Sequence, residues 1–237
     1  MIRKFVYLLP VLYLLSCNRD EIPLSSSLTL QLDYTVDQKN LFIDTSWYIN
    51  SAGNSFTINH LEYYISGITF IRSAGDSVRI SDYFYIDATK AEYASIQIRN
   101  IPMGSYESLV LHIGLLPDQN ISYALPPTIE NSNMAWPGMM GGGYHFMKLE
   151  GYLIQNTQQV GYAVHFGNNP HLVRCVIPMP FHLYAGHQNA KLVMNINEWF
   201  DHPSRYDLIQ DGNYTMGDSL LMSKVAKNGQ DVFTLKF

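Results

Sequence analysis

Residues 28–36 read Leu28-Thr29-Leu30-Gln31-Leu32-Asp33-Tyr34-Thr35-Val36, apolar at every second position. Leu28, Leu30, Leu32, Tyr34 and Val36 point one way, and Thr29, Gln31, Asp33 and Thr35 the other. A period of two belongs to a strand with one buried face. Similar runs recur at Phe56 to Ile71, Val78 to Ile86, Ser95 to Ile101, Tyr106 to Leu115, Gly143 to Ile154, Gln159 to Gly167, Val173 to Phe181, Lys191 to Ile196 and Asp231 to Phe237. Gly, Asn, Asp and Pro punctuate the gaps. This spacing predicts an all-β fold, an antiparallel β-sandwich of the Ig-like or Greek-key type. Two short helices are expected. One opens at Asn197-Glu198-Trp199-Phe200, and the other runs from Leu220 to Lys227, capped by Asp218 or Ser219 and stopped at Gly229.

Outward from the first strand toward the N-terminus, Asn18 to Ser27 is a polar tether. Before it stands MIRKFVYLLPVLYLLSC, in which Arg3 and Lys4 precede an apolar stretch, Phe5 to Leu15, too short to span a bilayer as a stable helix. That is the pattern of a secretory signal. Leu14-Leu15-Ser16-Cys17 resembles a bacterial lipobox, so Cys17 is expected to be the acylated N-terminus of the mature chain. The domain plan is then a signal peptide at 1–16, a lipidated tether at 17–27 and one sandwich domain at 28–237. The expected address is the bacterial cell envelope, as an outer-membrane lipoprotein facing the periplasm or the surface, with the membrane reached through the lipid on Cys17.

With Cys17 acylated, Cys175 has no cysteine to pair with, and stability must come from a core. The 15 basic and 20 acidic residues form no basic cluster, which argues against a nucleic-acid partner. No HExxH, CxxC or GxSxG occurs, and no enzymatic activity is expected. The longest stretch without strand pattern, Leu116 to Gly142, is of a length that is usually functional or disordered.

That stretch runs into Met134 to Gly151, MAWPGMMGGGYHFMKLEG. Thioether sulfur selects Cu(I) and imidazole suits copper as well as zinc, whereas the carboxylates that hard ions require are absent from Met134 to Lys148. Met139, Met140 and His145 are therefore candidate copper ligands. Gly141, Gly142 and Gly143 would let the backbone pass close to an ion or to the sheet edge. Alternation places His145 with Met147 and Leu149, opposite Tyr144, Phe146, Lys148 and Glu150. In the run from Gln159 to Gly167, His165 lies with Gly161 and Ala163, which leave space around it, and it is a further candidate ligand. His112 and His60 occupy similar strand positions, while His171, His182, His187 and His202 read as surface histidines. Two duller readings stand beside this one. The methionines with Trp136 would make a hydrophobic plug, or Trp136, Trp47 and the tyrosines would form a sugar-stacking platform on a surface adhesion or carbohydrate-binding module without metal.

The blocks Leu61-Glu62-Tyr63-Tyr64-Ile65-Ser66-Gly67-Ile68, Ile101-Pro102-Met103-Gly104-Ser105-Tyr106, His112-Ile113-Gly114, Gly143-Tyr144-His145-Phe146-Met147-Lys148-Leu149-Glu150-Gly151 and Val164-His165-Phe166-Gly167 resemble the MbnP-like family, related to the copper protein MopE. The resemblance runs from about Leu28 to Phe237. It implies a β-sandwich that binds copper, as a carrier or scavenger. It also implies histidine ligands beside a tryptophan oxidised to kynurenine, with a dihaem peroxidase as the partner that performs the oxidation. Trp136 matches the first tryptophan of the family's Trp-x-Trp pair. Pro137-Gly138-Met139-Met140 stands where the second would be, and that departure sets the kynurenine chemistry apart from what the residues themselves support.

Overall fold

The alternation at Leu28 to Val36 becomes strand β1 (Ser25–Val36) of the computed structural model, which describes residues 25–237. Leu28, Leu30, Leu32 and Val36 are at most 5% exposed. The signal segment, Cys17 and all but the end of the tether lie outside the described residues. The further strands are β2 (Lys39–Asn40), β3 (Tyr48–Ile49), β4 (Ser55–Phe56), β5 (His60–Arg72), β6 (Ser77–Arg79), β7 (Tyr83–Asp87), β8 (Ser95–Pro102), β9 (Gly104–Ile113), β10 (His145–Gln155), β11 (Gln158–Gly167), β12 (Val173–Leu183), β13 (Gly186–Asn195) and β14 (Phe233–Lys236). Two α-helices, α1 (Ile129–Asn133) and α2 (Ser219–Asn228), complete the set.

The strands form two sheets. The smaller runs β14-β13-β1-β2 with β8 on the other edge of β1, and the larger runs β12-β9-β5-β10-β4-β3 with β11 on β10 and with β6 and β7 on β5. Leu28 and Leu30 from the first share one core with Tyr63, Phe70, Leu109, Leu149 and Val164 from the second. Within it Phe70, Tyr106 and Phe181 pack ring on ring at centroid distances of 5.4–6.3 Å, and each such pair contributes about 0.5–1.5 kcal/mol beyond the area it buries. The fold is thus the expected all-β sandwich with one departure. β1 runs parallel to β13, from Ser26 opposite Gly186 to Thr35 opposite Asn195. A tight hairpin would force an antiparallel pair, but every strand of the larger sheet lies between these two in sequence, so direction is set by packing.

Two expected strands break. Phe56 to Ile71 divides into β4 and β5 because Thr57 and Asn59 bond irregularly to β10, their amides donating to the Tyr152 and Glu150 carbonyls at 2.7 and 2.9 Å. Val78 to Ile86 divides into β6 and β7. Helix α2 begins as its sequence predicts, with Asp218 Oδ1 accepting from the amides of Leu220 and Leu221 at 2.9 and 3.0 Å. Gly229 does end it, but at φ −68°, an ordinary helical value. Its glycine is needed for closeness, since a Cβ there would lie 2.3 Å from the Trp199 ring. The Asn197 segment is a 3-10 turn, Ile196–Phe200, rather than an α-helix.

Candidate metal centre

The long connection before β10 is ordered. Thr128 caps α1 by accepting from the Asn131 amide at 3.2 Å, and Met134 and Trp136 are buried just beyond it. The Trp136 indole donates to the Met140 carbonyl at 3.1 Å, and its ring lies against Gly167, where a Cβ would come within 2.7 Å of it. Gly141, Gly142 and Gly143 all have positive φ (107°, 68° and 84°). A Cβ on Gly142 would meet Ser122 Oγ, and one on Gly143 would meet Asn120 Oδ1, each at 2.4 Å. Those same atoms accept from the amides of Gly143 and Tyr144 at 2.7 and 2.9 Å. The glycine triplet therefore wraps the chain around two polar side chains and brings Trp136 down onto the edge of β11.

Where the segment enters β10, a bulge decides which way His145 faces. His145 pairs with Gly167 and Met147 with Phe166, so Phe146 is the extra residue. The expected grouping of His145 with Met147 and Leu149 is thereby corrected. Met147 and Leu149 lie in the core, whereas the His145 ring stands 5.4 Å from that of His165, at an interplanar angle of 85°. It also stands edge-on to Trp136, with centroids 4.6 Å apart. His165 takes the expected side of β11, opposite the buried Tyr162, Val164 and Phe166. A neighbouring segment fixes its backbone, since the His165 amide donates to Thr215 Oγ1 at 2.8 Å.

Each imidazole is anchored through one nitrogen. His145 Nδ1 lies 3.2 Å from the Met134 carbonyl, and His165 Nε2 lies 2.7 Å from Glu150 Oε1. Both partners are acceptors, so these nitrogens carry the protons, and in the neutral rings Nε2 of His145 and Nδ1 of His165 keep free lone pairs. A carbonyl or carboxylate behind the ring is the usual support of a metal-binding histidine. His145 is 6% exposed. Burial, then the Lys148 charge, then His165 push its pKa down to about 4, so it stands neutral at neutral pH. The His165 hydrogen bond holds the Glu150 carboxyl below its ordinary range, against the opposing effect of burial.

The network continues across the face. Glu62 on β5 accepts from the Tyr85 hydroxyl at 2.7 Å and lies 3.1 Å from His60 Nε2 and 3.6 Å from Lys148 Nζ. Burial raises the Glu62 pKa, but the hydrogen bonds from His60 and Tyr85 and the nearby positive charge outweigh it and hold it at about 2.

The structure thus brings His145, His165 and Trp136 together. Met139, 95% exposed, points into solvent from the 3-10 turn Gly138–Met140 and is not drawn to that point. Met140 reaches the neighbourhood through its carbonyl, which accepts from Trp136 and from Asn168 Nδ2, while its methyl lies against Gly217. Of the rings in the stacking platform, Trp136 is 3% exposed and offers no face to a sugar, whereas Trp47 is 45% exposed. His171 is buried, not superficial, with Nδ1 2.7 Å from the Gly167 carbonyl. Glu150, placed in the sequence only by the alternation, supplies the carboxylate behind His165. A second donor group, Glu198, His202 and Asp231, has ligand atoms within 4.8 Å of one another near the surface, and its carboxylates suit harder ions than copper.

A family model described as MbnP matches residues 25–217. Among solved structures, MbnP from Methylosinus trichosporium aligns with a TM-score of 0.56 at 14% identity, covering 89% of this chain and 98% of that one. At that identity the likeness is one of fold. No curated protein matches the sequence.

Proposed function

Because the chain belongs to the MbnP family, whose model spans most of it, we propose that it binds copper through Nε2 of His145 and Nδ1 of His165, beside Trp136. The observation that carries this reading is the pair of anchored imidazoles, 5.4 Å apart, each with one free lone pair. Neutral imidazole nitrogen suits copper, and the low His145 pKa removes proton competition at neutral pH. An intact indole is a donor only, and that of Trp136 is already committed to the Met140 carbonyl. Unmodified Trp136 is therefore a wall of the site. It becomes a ligand only if oxidised, which in this reading falls to a dihaem peroxidase partner. No catalytic step is assigned to the chain; it holds metal as a carrier or scavenger. The sequence before residue 25 supports a lipid anchor on Cys17 and a place in the bacterial envelope.

The test is copper titration of the purified protein against a competing chelator. His145→Ala and His165→Ala should each weaken binding by roughly 10- to 100-fold or more, the scale of losses at metal sites. Unchanged affinity in both variants would refute the assignment.

A further inference from the structure

On the larger sheet, a second polar site forms around a bulge in β5. The register of β5 with β9 shifts between Ser66 and Thr69, and Gly67 inside the shift has φ +57°. A Cβ on Gly67 would stand 2.8 Å from His112 Nδ1, so glycine is what lets the imidazole lie against β5. His112 is the direct cross-strand neighbour of Arg174 on β12, and Arg79 on β6 pairs with Thr69 of β5. These residues border an open cavity of about 270 Å³.

Its charge is unusual for this chain. The protein carries a net charge of −5, yet the cavity wall holds two arginines and a histidine and no carboxylate. Among the described residues neither Arg79 nor Arg174 enters an ion pair. His112 Nδ1 is sealed from solvent without a hydrogen-bond partner. Burial first, then the Arg174 and Arg79 charges, lower the His112 pKa, so the ring sits uncharged between two cations.

We infer that this cavity binds an oxyanion of the phosphate type, held by the guanidinium groups of Arg79 and Arg174 beside His112. A guanidinium fork matches phosphate oxygens two at a time, and such charge-assisted bonds are the strong ones. A bound dianion would also offset the two arginine charges that add to burial in lowering the His112 pKa. The phosphate group comes either free or on a lipid headgroup.

Inorganic phosphate is titrated into the purified protein while the imidazole signals are followed by NMR, His112 being identified by its loss in His112→Gln. The expected result is a saturable shift of His112 with a rise in its pKa. In Arg79→Gln and Arg174→Gln, both exposed positions, binding should be roughly tenfold weaker or more. A parallel titration with monomeric short-chain phosphatidic acid separates the sources, because tighter Arg-dependent binding of the lipid assigns the headgroup and tighter binding of phosphate assigns the free ion. A non-saturable shift with both ligands, or equal affinity in the wild type and in both arginine variants, overturns the proposal.

Discussion

Acidification should destabilise the metal-free protein in part through His145. Its imidazole pKa is depressed from 6.5 to about 4 by burial, by Lys148 and by His165. Below pH 6.5 the unfolded chain takes up a proton that the folded chain refuses until about pH 4, so the unfolded state binds more protons throughout that window. Stability then rises with pH across it. The contribution is fully present above 6.5 and is lost as pH falls toward 4. At roughly 1.4 kcal/mol per pH unit, the gap comes to about 3 kcal/mol, a large share of the 5–15 kcal/mol typical of a domain. Other groups titrate nearby, His60 with the opposite sign and Glu62 with the same sign in a lower window. His60, raised by its Glu62 hydrogen bond, contributes stability that is lost as pH rises through its folded value. Glu62, held at about 2, loses its contribution only below the ordinary carboxylate pKa. The informative quantity is therefore a difference between proteins. Urea unfolding of wild type and His145→Gln at pH 7 and pH 4.5 should show wild type losing about 2–3 kcal/mol more than the variant. Equal losses in the two would mean that His145 is not buried as described.

Three other outcomes follow from the same geometry. Glu150→Gln leaves His165 without its carboxylate anchor, and copper affinity should fall by roughly 10- to 100-fold, the usual cost of removing a support behind a metal ligand; unchanged affinity in a chelator competition would show that the 2.7 Å bond does not position the ring. Gly167→Ala places a methyl 2.7 Å from the Trp136 ring, so thermal unfolding should reveal a loss of about 1–3 kcal/mol, the scale of overpacking, together with altered tryptophan fluorescence. Met139→Ile should leave copper affinity the same, because that side chain lies in solvent; a marked loss would return the thioether to the ligand set.

Much of the fold was legible because one face of most strands is buried. At Leu28 to Val36 the two-residue period and the burial coincide, and at Asp218 the cap and its amides stand as the sequence predicts. Legibility failed where tertiary contacts override local pattern. Nothing local announces that β1 meets β13 in parallel, since their separation in sequence leaves direction to packing. The bulge at His145 turned its ring away from Met147, and simple alternation cannot foresee an inserted residue. His165 was placed on the correct side because no bulge intervenes. Glu150 was within reach of inference. Asn156 and Thr157, both at positive φ, close a two-residue turn between Gln155 and Gln158. Counting outward from that turn sets His165 opposite Lys148 and diagonal to Glu150. Met139 was proposed for its chemistry alone, and chemistry does not reveal which side of a 3-10 turn a side chain takes.

The copper reading is tested most directly by X-ray absorption at the copper edge of the loaded protein. The first shell should be dominated by nitrogen with the outer scattering of two imidazoles, and each of His145→Ala and His165→Ala should remove one ring's contribution. A sulfur-dominated shell, or a spectrum the same in both variants as in the wild type, would contradict the account.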